Sequence, residues 1–495
     1  MLDHYREELT RFYEALGREQ YCYFSGQKDR LELRPIFDRY SDLFREDTIQ
    51  ELKRTLDQTP EHFQTQREGI RRLIACTEEH VLERSVAELT EQIAEREGRA
   101  IIGINGSEVP FHRITELMAH EPDAARRRQM NEHRLAVIRQ SLELREERVR
   151  RLHEGSRHLG YDSYWSMVEN WPGSALRRTA DDFGDFLSRT DDLYFRHLER
   201  ELTASLSLRL DEADRADIER FLQLDEYADL FPADGVIPAY RETLRELHID
   251  LDEQPNIDID DIERPRKIPR AFCTPIRVPE EIKLSISPRG GVMDYEAMLH
   301  EGGHAQHYAW TSPRLPVEFK LAGDAAVTEG YAFLFQYLVL DPLWLDDLLR
   351  FPGSQSLVIS LWLRKLFFLR RYVAKLRCEH HLHTTGALSS SSLHYARTLT
   401  EATGFRYTSD EFLHDLDDYI YAASYLRGWL FEVQLREFLR TRFGHKWWKS
   451  KKAAHLLIDL WNAGERYPVD ELASLADLGT LSVEPLIDEV MEVLS

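Results

Sequence analysis

Apolar residues recur at three- and four-residue spacing from the start of the chain to about residue 235, with dense Glu and Arg between them. The segment 135–152 is typical of this pattern. Such spacing places the apolar side chains on one face of an α-helix and leaves the charged ones on the solvent face. We therefore predict that residues 1–235 form a helical N-terminal region.

The pattern changes near residue 250. Residues 256–261 alternate polar and apolar, several prolines follow, and 281–287 alternate again before a turn at 288–291. A period of two is typical of half-buried β-strands. The sequence thus predicts a small antiparallel β ribbon, followed by helices to the end of the chain. The expected fold class is mainly α, with 236–495 as the region that carries the chemistry.

Composition and charge restrict the partners. The chain of 495 residues has a globular composition, 42% hydrophobic and 31% charged, and a formal net charge of −23. Nucleic acid is an unlikely partner for so acidic a chain because binding phosphates needs a basic surface. No apolar run is long enough to span a membrane, no signal-peptide core is present, and the four cysteines lack a pairing pattern. We expect a cytoplasmic protein, of unknown oligomeric state.

A His-Glu-x-x-His motif follows the glycine turn, inside a predicted helix that spans Val292–Trp310. His300 and His304 share one helical face, so that both imidazoles can bind one Zn²⁺. Glu301 lies beside such a metal and suits a base that takes a proton from its water. The alternative is a helix with two surface histidines. The pair Gly302–Gly303 costs helix stability, which indicates a need for backbone room.

A third metal ligand is predicted within residues 325–340, which are nearly all apolar apart from Glu329. A buried carboxylate without a partner is costly, and a metal ion would relieve that cost. Glu329 lies 25 residues after His304, which is enough for a second helix to return antiparallel to the first. Two histidines, one glutamate and a water form an open catalytic site, with one zinc per chain. The alternative is a salt-bridged core glutamate.

Residues 412–440 are predicted to form one long helix. His414, Asp418, Tyr421 and Tyr425 would then lie on one stripe, at spacings of four, three and four residues. Tyrosine hydroxyls in a cleft can donate hydrogen bonds to a developing oxyanion. The alternative is that these tyrosines belong to the core.

Together these segments resemble the thimet oligopeptidase / oligoendopeptidase F family of zinc metallopeptidases. The resemblance rests on HEGGHAQH, the glutamate 25 residues later, the late paired tyrosines, and the approach RAFC at 270–273. It implies a helical clamshell with a deep substrate channel, zinc on the channel floor, and oligopeptide substrates. Residues 1–235 would then form one wall of that cleft. Carried over by position, it implies His300, His304 and Glu329 as ligands and Glu301 as the general base.

The tyrosine region departs from the family pattern. Tyr421 and Tyr425 match the first two tyrosines of the family cluster, but the third corresponds to Gly428 and is preceded by Arg427. The family histidine lies five residues before the first tyrosine, whereas His414 lies seven residues before it.

The sequence therefore predicts a zinc-dependent hydrolase of oligopeptides. Glu301 would assist the attack of the zinc-bound water, Tyr425 would stabilise the oxyanion, and Tyr421, Arg427 and His414 would contact the substrate. One alternative is a carboxypeptidase-type exopeptidase of a related gluzincin family, with Arg427 binding the terminal carboxylate. Another is a non-catalytic helical metal-binding protein, although a purely structural site has no use for Glu301.

Overall fold

The computed structural model describes residues 2–104, 106–351 and 355–495, and in these residues the protein is mainly helical, as predicted. The described helices before residue 235 are α1 (Leu2–Phe24), α2 (Arg34–Arg39), α3 (Glu46–Gln58), α4 (Gln64–Arg99), α5 (Ile114–His120), α6 (Ala124–Gln140), α7 (Leu142–His158), α8 (Tyr164–Glu169), α9 (Leu176–Asp182), α10 (Phe186–Leu206) and α11 (Ile218–Gln223). Those after it are α12 (Val236–Glu246), α13 (Val292–Trp310), α14 (Ala325–Gln336), α15 (Pro342–Leu349), α16 (Gln355–Thr385), α17 (Leu388–Thr403), α18 (Phe412–Asp415), α19 (Tyr421–Phe443), α20 (Lys451–Asn462), α21 (Val469–Leu475) and α22 (Glu484–Leu494). No described helix is both long and apolar enough to cross a membrane.

The β structure is more extensive than predicted. Strands β1 (Ile101–Ile104) and β2 (Ser107–Pro110) form an antiparallel hairpin inside the region expected to be helical. The later sheet has the order β3-β5-β4, made of β3 (Ile257–Asp260), β4 (Phe272–Arg277) and β5 (Glu281–Ser285). An antiparallel pair is present, but it joins β5 to β4, which lies in the proline-containing stretch; the two alternating segments expected to form the ribbon, β3 and β5, pair in parallel. The chain crosses from one edge of the sheet to the other, a connection that alternation alone does not reveal.

Three apolar cores hold these elements together. One joins α1 to α4, a second lies beneath β1, β2 and α6, and the largest runs from Leu82 to Leu494. The largest core contains residues from both sides of position 235. The division of the chain at that position stays a prediction.

Helix α14 packs very closely against α13. A Cβ at Gly303 would come 2.7 Å from Ala332 Cα and 2.8 Å from the carbonyl oxygen of Tyr331. A Cβ at Gly302 would overlap the ring of Tyr240. The room that the paired glycines indicated is therefore used for helix packing.

Gly303→Ala is expected to destabilise the protein by about 1–3 kcal/mol, because the methyl group must push against the backbone of α14 rather than a movable side chain. Thermal unfolding of the purified variant measures this loss. Gly17→Ala is the matched control, since it also lies inside a helix but its Cβ would meet only ordinary contacts at 3.5 Å. That change should be neutral or stabilising by up to about 1 kcal/mol. Equal unfolding temperatures for Gly303→Ala and wild type would contradict the packing argument.

Candidate metal centre

The structure brings the three predicted ligands to one point. His300 and His304 lie one turn apart on α13, and Glu329 faces them from α14. The two Nε2 atoms are 3.2 Å apart. Glu329 Oε2 lies 3.4 Å from Nε2 of His300 and 3.8 Å from Nε2 of His304. The close helix crossing at Gly303 is what sets these distances.

Each histidine is oriented through its other ring nitrogen. Nδ1 of His300 lies 2.8 Å from Oε1 of Gln336, and Nδ1 of His304 lies 2.7 Å from the hydroxyl of Thr328. An amide oxygen only accepts hydrogen bonds, so Nδ1 of His300 donates and its Nε2 is the atom that faces the other two ligand atoms. Both partners stand on α14, so the same helix that supplies Glu329 also fixes the two rings. Such support is usual for metal-binding histidines.

Glu329 is held in the same way. Its Oε1 accepts a hydrogen bond of 2.7 Å from the hydroxyl of Tyr421, whereas its buried Oε2 has no hydrogen-bond partner among the described residues. In a tetrahedral zinc site with bonds of 2.0–2.1 Å, two ligand atoms lie about 3.3 Å apart. The spacing of the three atoms, the nitrogen and carboxylate donors and the orphaned oxygen all fit a zinc ion.

The electrostatics favour the ligand forms of His304 and Glu329. Burial lowers the pKa of His304 to about 4, so its ring is neutral near pH 7. Burial alone would raise the pKa of Glu329, but the facing rings of His304 and His300 and the hydrogen bond from Tyr421 lower it below its ordinary value. Glu329 in turn raises the pKa of His300 against the effect of burial. Glu329 is thus an anion, the form that binds metals.

Glu301 is anchored beside the three ligands. Its Oε2 accepts a 2.8 Å hydrogen bond from the backbone N–H of Cys273 on β4. Burial raises the pKa of Glu301, and the positive charges of His300 and Arg270 offset part of that rise. A carboxylate with a raised pKa is a better proton acceptor than an ordinary glutamate. Its role as the general base stays a prediction.

A second group of potential ligands lies on α4, where Glu79, His80 and Glu83 approach one another. Nδ1 of His80 is 3.2 Å from Glu83, and the ring packs against those of Phe12 and Phe44. This His80–Glu83 ion pair within an aromatic cluster already gives the ring a structural role.

The prediction of one helix over 412–440 is wrong. Helix α18 ends at Asp415, Tyr419 and Ile420 both have φ +57°, and α19 begins only at Tyr421. The Tyr419 N–H donates to the hydroxyl of Tyr164 at 3.0 Å. Because the break depends on such distant contacts, residue spacing could not reveal it. His414 and Asp418 consequently do not share a helical face with the two tyrosines.

His414 and Asp418 instead contact the N-terminal helices. Nδ1 of His414 lies 3.1 Å from the Arg145 guanidinium, and the Asp418 carboxylate binds Arg148 at 2.6 and 2.7 Å. Burial, together with the charges of Arg145 and Arg134, lowers the pKa of His414 to about 3. His414 does line the cleft described below, so its contact with substrate stays a prediction.

Tyr421 and Tyr425 lie one turn apart on α19, with ring centroids separated by 5.2 Å. The Tyr425 ring stacks on Tyr372 at 4.6 Å and packs edge-on against Phe333 at 5.5 Å. Its hydroxyl has no hydrogen-bond partner in the part of the chain that the structure describes. Tyr372, on α16, was not singled out in the sequence because nothing around it forms a motif.

Arg427 does not have the role expected of it. The guanidinium is only 5% exposed and binds Asp324 at 2.7 and 3.0 Å and Asp470 at 3.1 Å. Asp324 also caps the first turn of α14 by accepting from the N–H of Ala326. Arg427 therefore stabilises the start of the helix that carries Glu329. With its donors occupied by these carboxylates, the prediction that it binds substrate is corrected.

Gly428 explains one departure from the family pattern. A Cβ at this position would lie 3.0 Å from Cβ of Glu329 and 3.2 Å from the backbone nitrogen of Gly330. Helix α19 crosses α14 at this point, so a tyrosine at position 428 would collide with the backbone beside the third ligand.

The metal centre adjoins a cleft with a cavity volume of about 750 Å³. Thr328, Tyr421 and Tyr425, which stand on the helices next to the ligands, line it together with Glu79 and Trp171. Residues from both predicted regions thus form the cavity, which has room for several residues of an extended peptide.

Comparison with known proteins gives matches in structure and none in sequence families. No family model matches the chain, and no curated protein matches it. A crystal structure of a putative oligoendopeptidase F matches with TM-score 0.74 at 15% identity, covering 99% of this chain and 90% of that one. A putative oligoendopeptidase F from Bacillus anthracis gives 0.65 at 14% identity, covering 96% and 83%. PZ peptidase A, solved with an inhibitor, gives 0.69 at 14% identity, covering 93% and 86%. The fold of this chain is therefore that of the oligoendopeptidase F-type peptidases.

Proposed function

We propose that this protein is a zinc metallopeptidase that hydrolyses oligopeptides within the cleft. The observation that carries the proposal is the convergence of His300, His304 and Glu329 beside an anchored Glu301, next to a peptide-sized cavity that Thr328, Tyr421 and Tyr425 line. A bound zinc ion supplies a Lewis acid that polarises the scissile carbonyl and lowers the pKa of water. The structural neighbours are proteins named as peptidases, in agreement with this chemistry.

The residues of the chain divide the remaining work. Glu301 takes a proton from the attacking water and passes it to the leaving amine nitrogen. The Tyr425 hydroxyl donates to the carbonyl oxygen as negative charge develops there. Tyr421 holds Glu329 in its ligand position through the 2.7 Å hydrogen bond, while Thr328 and Gln336 hold the two rings. The proposal retains the cytoplasmic location and peptide substrates expected from the sequence, and the four cysteines are free.

Purified protein is expected to contain about one zinc per chain, and Glu329→Gln should lower that value because a neutral amide is a poor zinc ligand of the same size. Elemental analysis after zinc-replete purification and desalting measures both. Glu79→Gln is the matched control: it removes a carboxylate from the other group of potential ligands and should leave the zinc content unchanged. Wild-type protein with less than about 0.2 zinc per chain would remove the basis of the proposal.

Hydrolysis is tested directly with a mixture of unmodified oligopeptides and mass spectrometry of the products. We expect cleavage by the zinc-loaded protein and loss of cleavage after treatment with a chelator. Zinc-loaded protein that cleaves no peptide would favour the non-catalytic metal-binding alternative.

A further inference from the structure

The cations that line the cleft differ in whether they have partners. Lys375 binds Asp417 at 2.6 Å, Arg371 binds Asp415, and Arg72 bonds to Glu68 and to two backbone carbonyls. These three side chains are at most 15% exposed. Their charges are thus already matched by groups of the protein itself.

Arg270 is different. It lines the same cleft and is exposed, and among the described residues it has neither an ion pair nor a hydrogen bond. Four groups lie within electrostatic range of its guanidinium: the Tyr425 and Tyr372 hydroxyls and the Glu301 and Asp417 carboxylates. Asp417 already forms an ion pair with Lys375, and Glu301 already accepts a hydrogen bond from the Cys273 N–H. The five N–H donors of Arg270 are therefore available to a ligand.

The position of Arg270 places such a ligand next to the reacting bond. The residue stands two positions before β4, whose Cys273 N–H holds Glu301 in place. It is also close enough to influence Tyr425, the proposed oxyanion donor. A group bound to this guanidinium would thus be only a residue or so from the carbonyl under attack.

We propose that Arg270 binds a carboxylate of the peptide substrate beside the scissile bond, and so makes the protein selective for acidic substrates. This inference rests on the proposed peptidase function. A planar guanidinium with free donors pairs with a carboxylate through two parallel hydrogen bonds. The other cations of the described lining, Lys375, Arg371 and Arg72, already have partners. Arg270 is therefore the group that would fix the orientation of such a peptide in the cleft.

The carboxylate has two possible sources: a Glu or Asp side chain next to the cleaved bond, or the C-terminus of the substrate. The test uses one quenched peptide in four forms, with Glu or Gln beside the cleaved bond and with a free or amidated C-terminus. Wild-type protein should prefer at least one carboxylate form by about 10-fold or more in kcat/KM. A Glu-over-Gln preference identifies the side chain. An acid-over-amide preference, with release of the last residue, identifies carboxypeptidase action.

Arg270→Gln should abolish this preference by a loss of about 10- to 100-fold on the carboxylate form alone, mostly in KM. Arg270→Lys keeps the positive charge but loses the two parallel N–H donors of the guanidinium, and it should retain part of the preference. Arg277→Gln is the matched control, an exposed arginine on β4 outside the cleft, and should behave as wild type. If Arg270→Gln fails to fold, the wild-type and Arg270→Lys measurements decide.

Two results would overturn the inference. The first is cleavage of all four peptides by wild-type protein with equal kcat/KM. The second is an equal loss of kcat on all four peptides in Arg270→Gln, which would mean that the arginine acts only through Glu301. Fluorescence anisotropy of the four peptides on Glu301→Gln and on Glu301→Gln/Arg270→Gln adds a readout without turnover. We expect the double variant to bind the carboxylate form of the peptide more weakly than Glu301→Gln does, and to bind the other forms equally well. This binding result stands even if no peptide is hydrolysed, so failure of the inference and failure of the proposed function remain distinguishable.

Discussion

Glu301→Gln is expected to keep about one zinc per chain while peptide hydrolysis falls by at least about 10²-fold. Glutamine preserves the size of the side chain and can still accept the hydrogen bond from the Cys273 N–H through its amide oxygen. It cannot take a proton from water. The change therefore separates proton transfer from metal binding, because none of the three ligand atoms belongs to Glu301. Single-turnover hydrolysis and elemental analysis on the same preparation measure the two properties.

Glu296→Gln provides the control for this experiment. Glu296 lies on the same helix and is also buried, but its carboxylate binds Arg364 at 2.9 Å rather than the backbone of β4. That variant should lose some stability and retain hydrolysis. A zinc-loaded Glu301→Gln variant that hydrolyses peptides at the wild-type rate would show that another group accepts the proton.

The metal ligands could be predicted because local spacing determines their geometry. Two histidines four residues apart on a helix share a face whatever surrounds them. Glu329 could be identified because a lone carboxylate in an apolar segment needs a partner. The paired glycines indicated a close approach, and the structure shows that α14 makes it. In each case the signal lies within one helix, and the tertiary fold only has to bring two helices together.

Features that depend on contacts between distant segments could not be predicted. The interruption of the helix before Tyr421 depends on a contact with Tyr164, which is more than 250 residues away in sequence. The structural role of Arg427 depends on its ion pairs with Asp324 and Asp470, and neither aspartate forms a recognisable sequence pattern with it. The parallel pairing of β3 with β5 follows from a crossing of the sheet. The β1–β2 hairpin is different, since Asn105-Gly106 directly after the short apolar run at 101–104 is a local turn signal within a region of otherwise helical pattern.

The tyrosine pair combines one feature that could be predicted from the sequence with one that could not. The four-residue spacing of Tyr421 and Tyr425 correctly places them on one face, but their different surroundings were not visible in the sequence. The Tyr421 hydroxyl is engaged by Glu329, whereas that of Tyr425 has no partner in the described part of the chain. The Tyr425 ring is fixed by Tyr372 and Phe333, so its hydroxyl is held in the cleft by packing. A donor that is positioned in advance and unpaired in the free protein suits an oxyanion.

Tyr425→Phe should accordingly lower kcat by about 10²–10³-fold with little change in KM, stability or zinc content. Phenylalanine keeps the stacking on Tyr372 and removes only the hydroxyl, so a purely structural tyrosine would leave turnover normal. Tyr421→Phe is the matched comparison on the same helix. It removes the hydrogen bond to Glu329, so it should weaken zinc binding and have a smaller effect on kcat at saturating zinc. The measurements are steady-state kinetics and metal titration of both variants.

If Tyr425→Phe retained more than about a third of the wild-type kcat, the oxyanion donor would have to be another group of the cleft. Arg427 cannot take this role, because its guanidinium is buried between two carboxylates; Tyr372 and Arg270 line the same cleft as Tyr425 and would be the donors to test next.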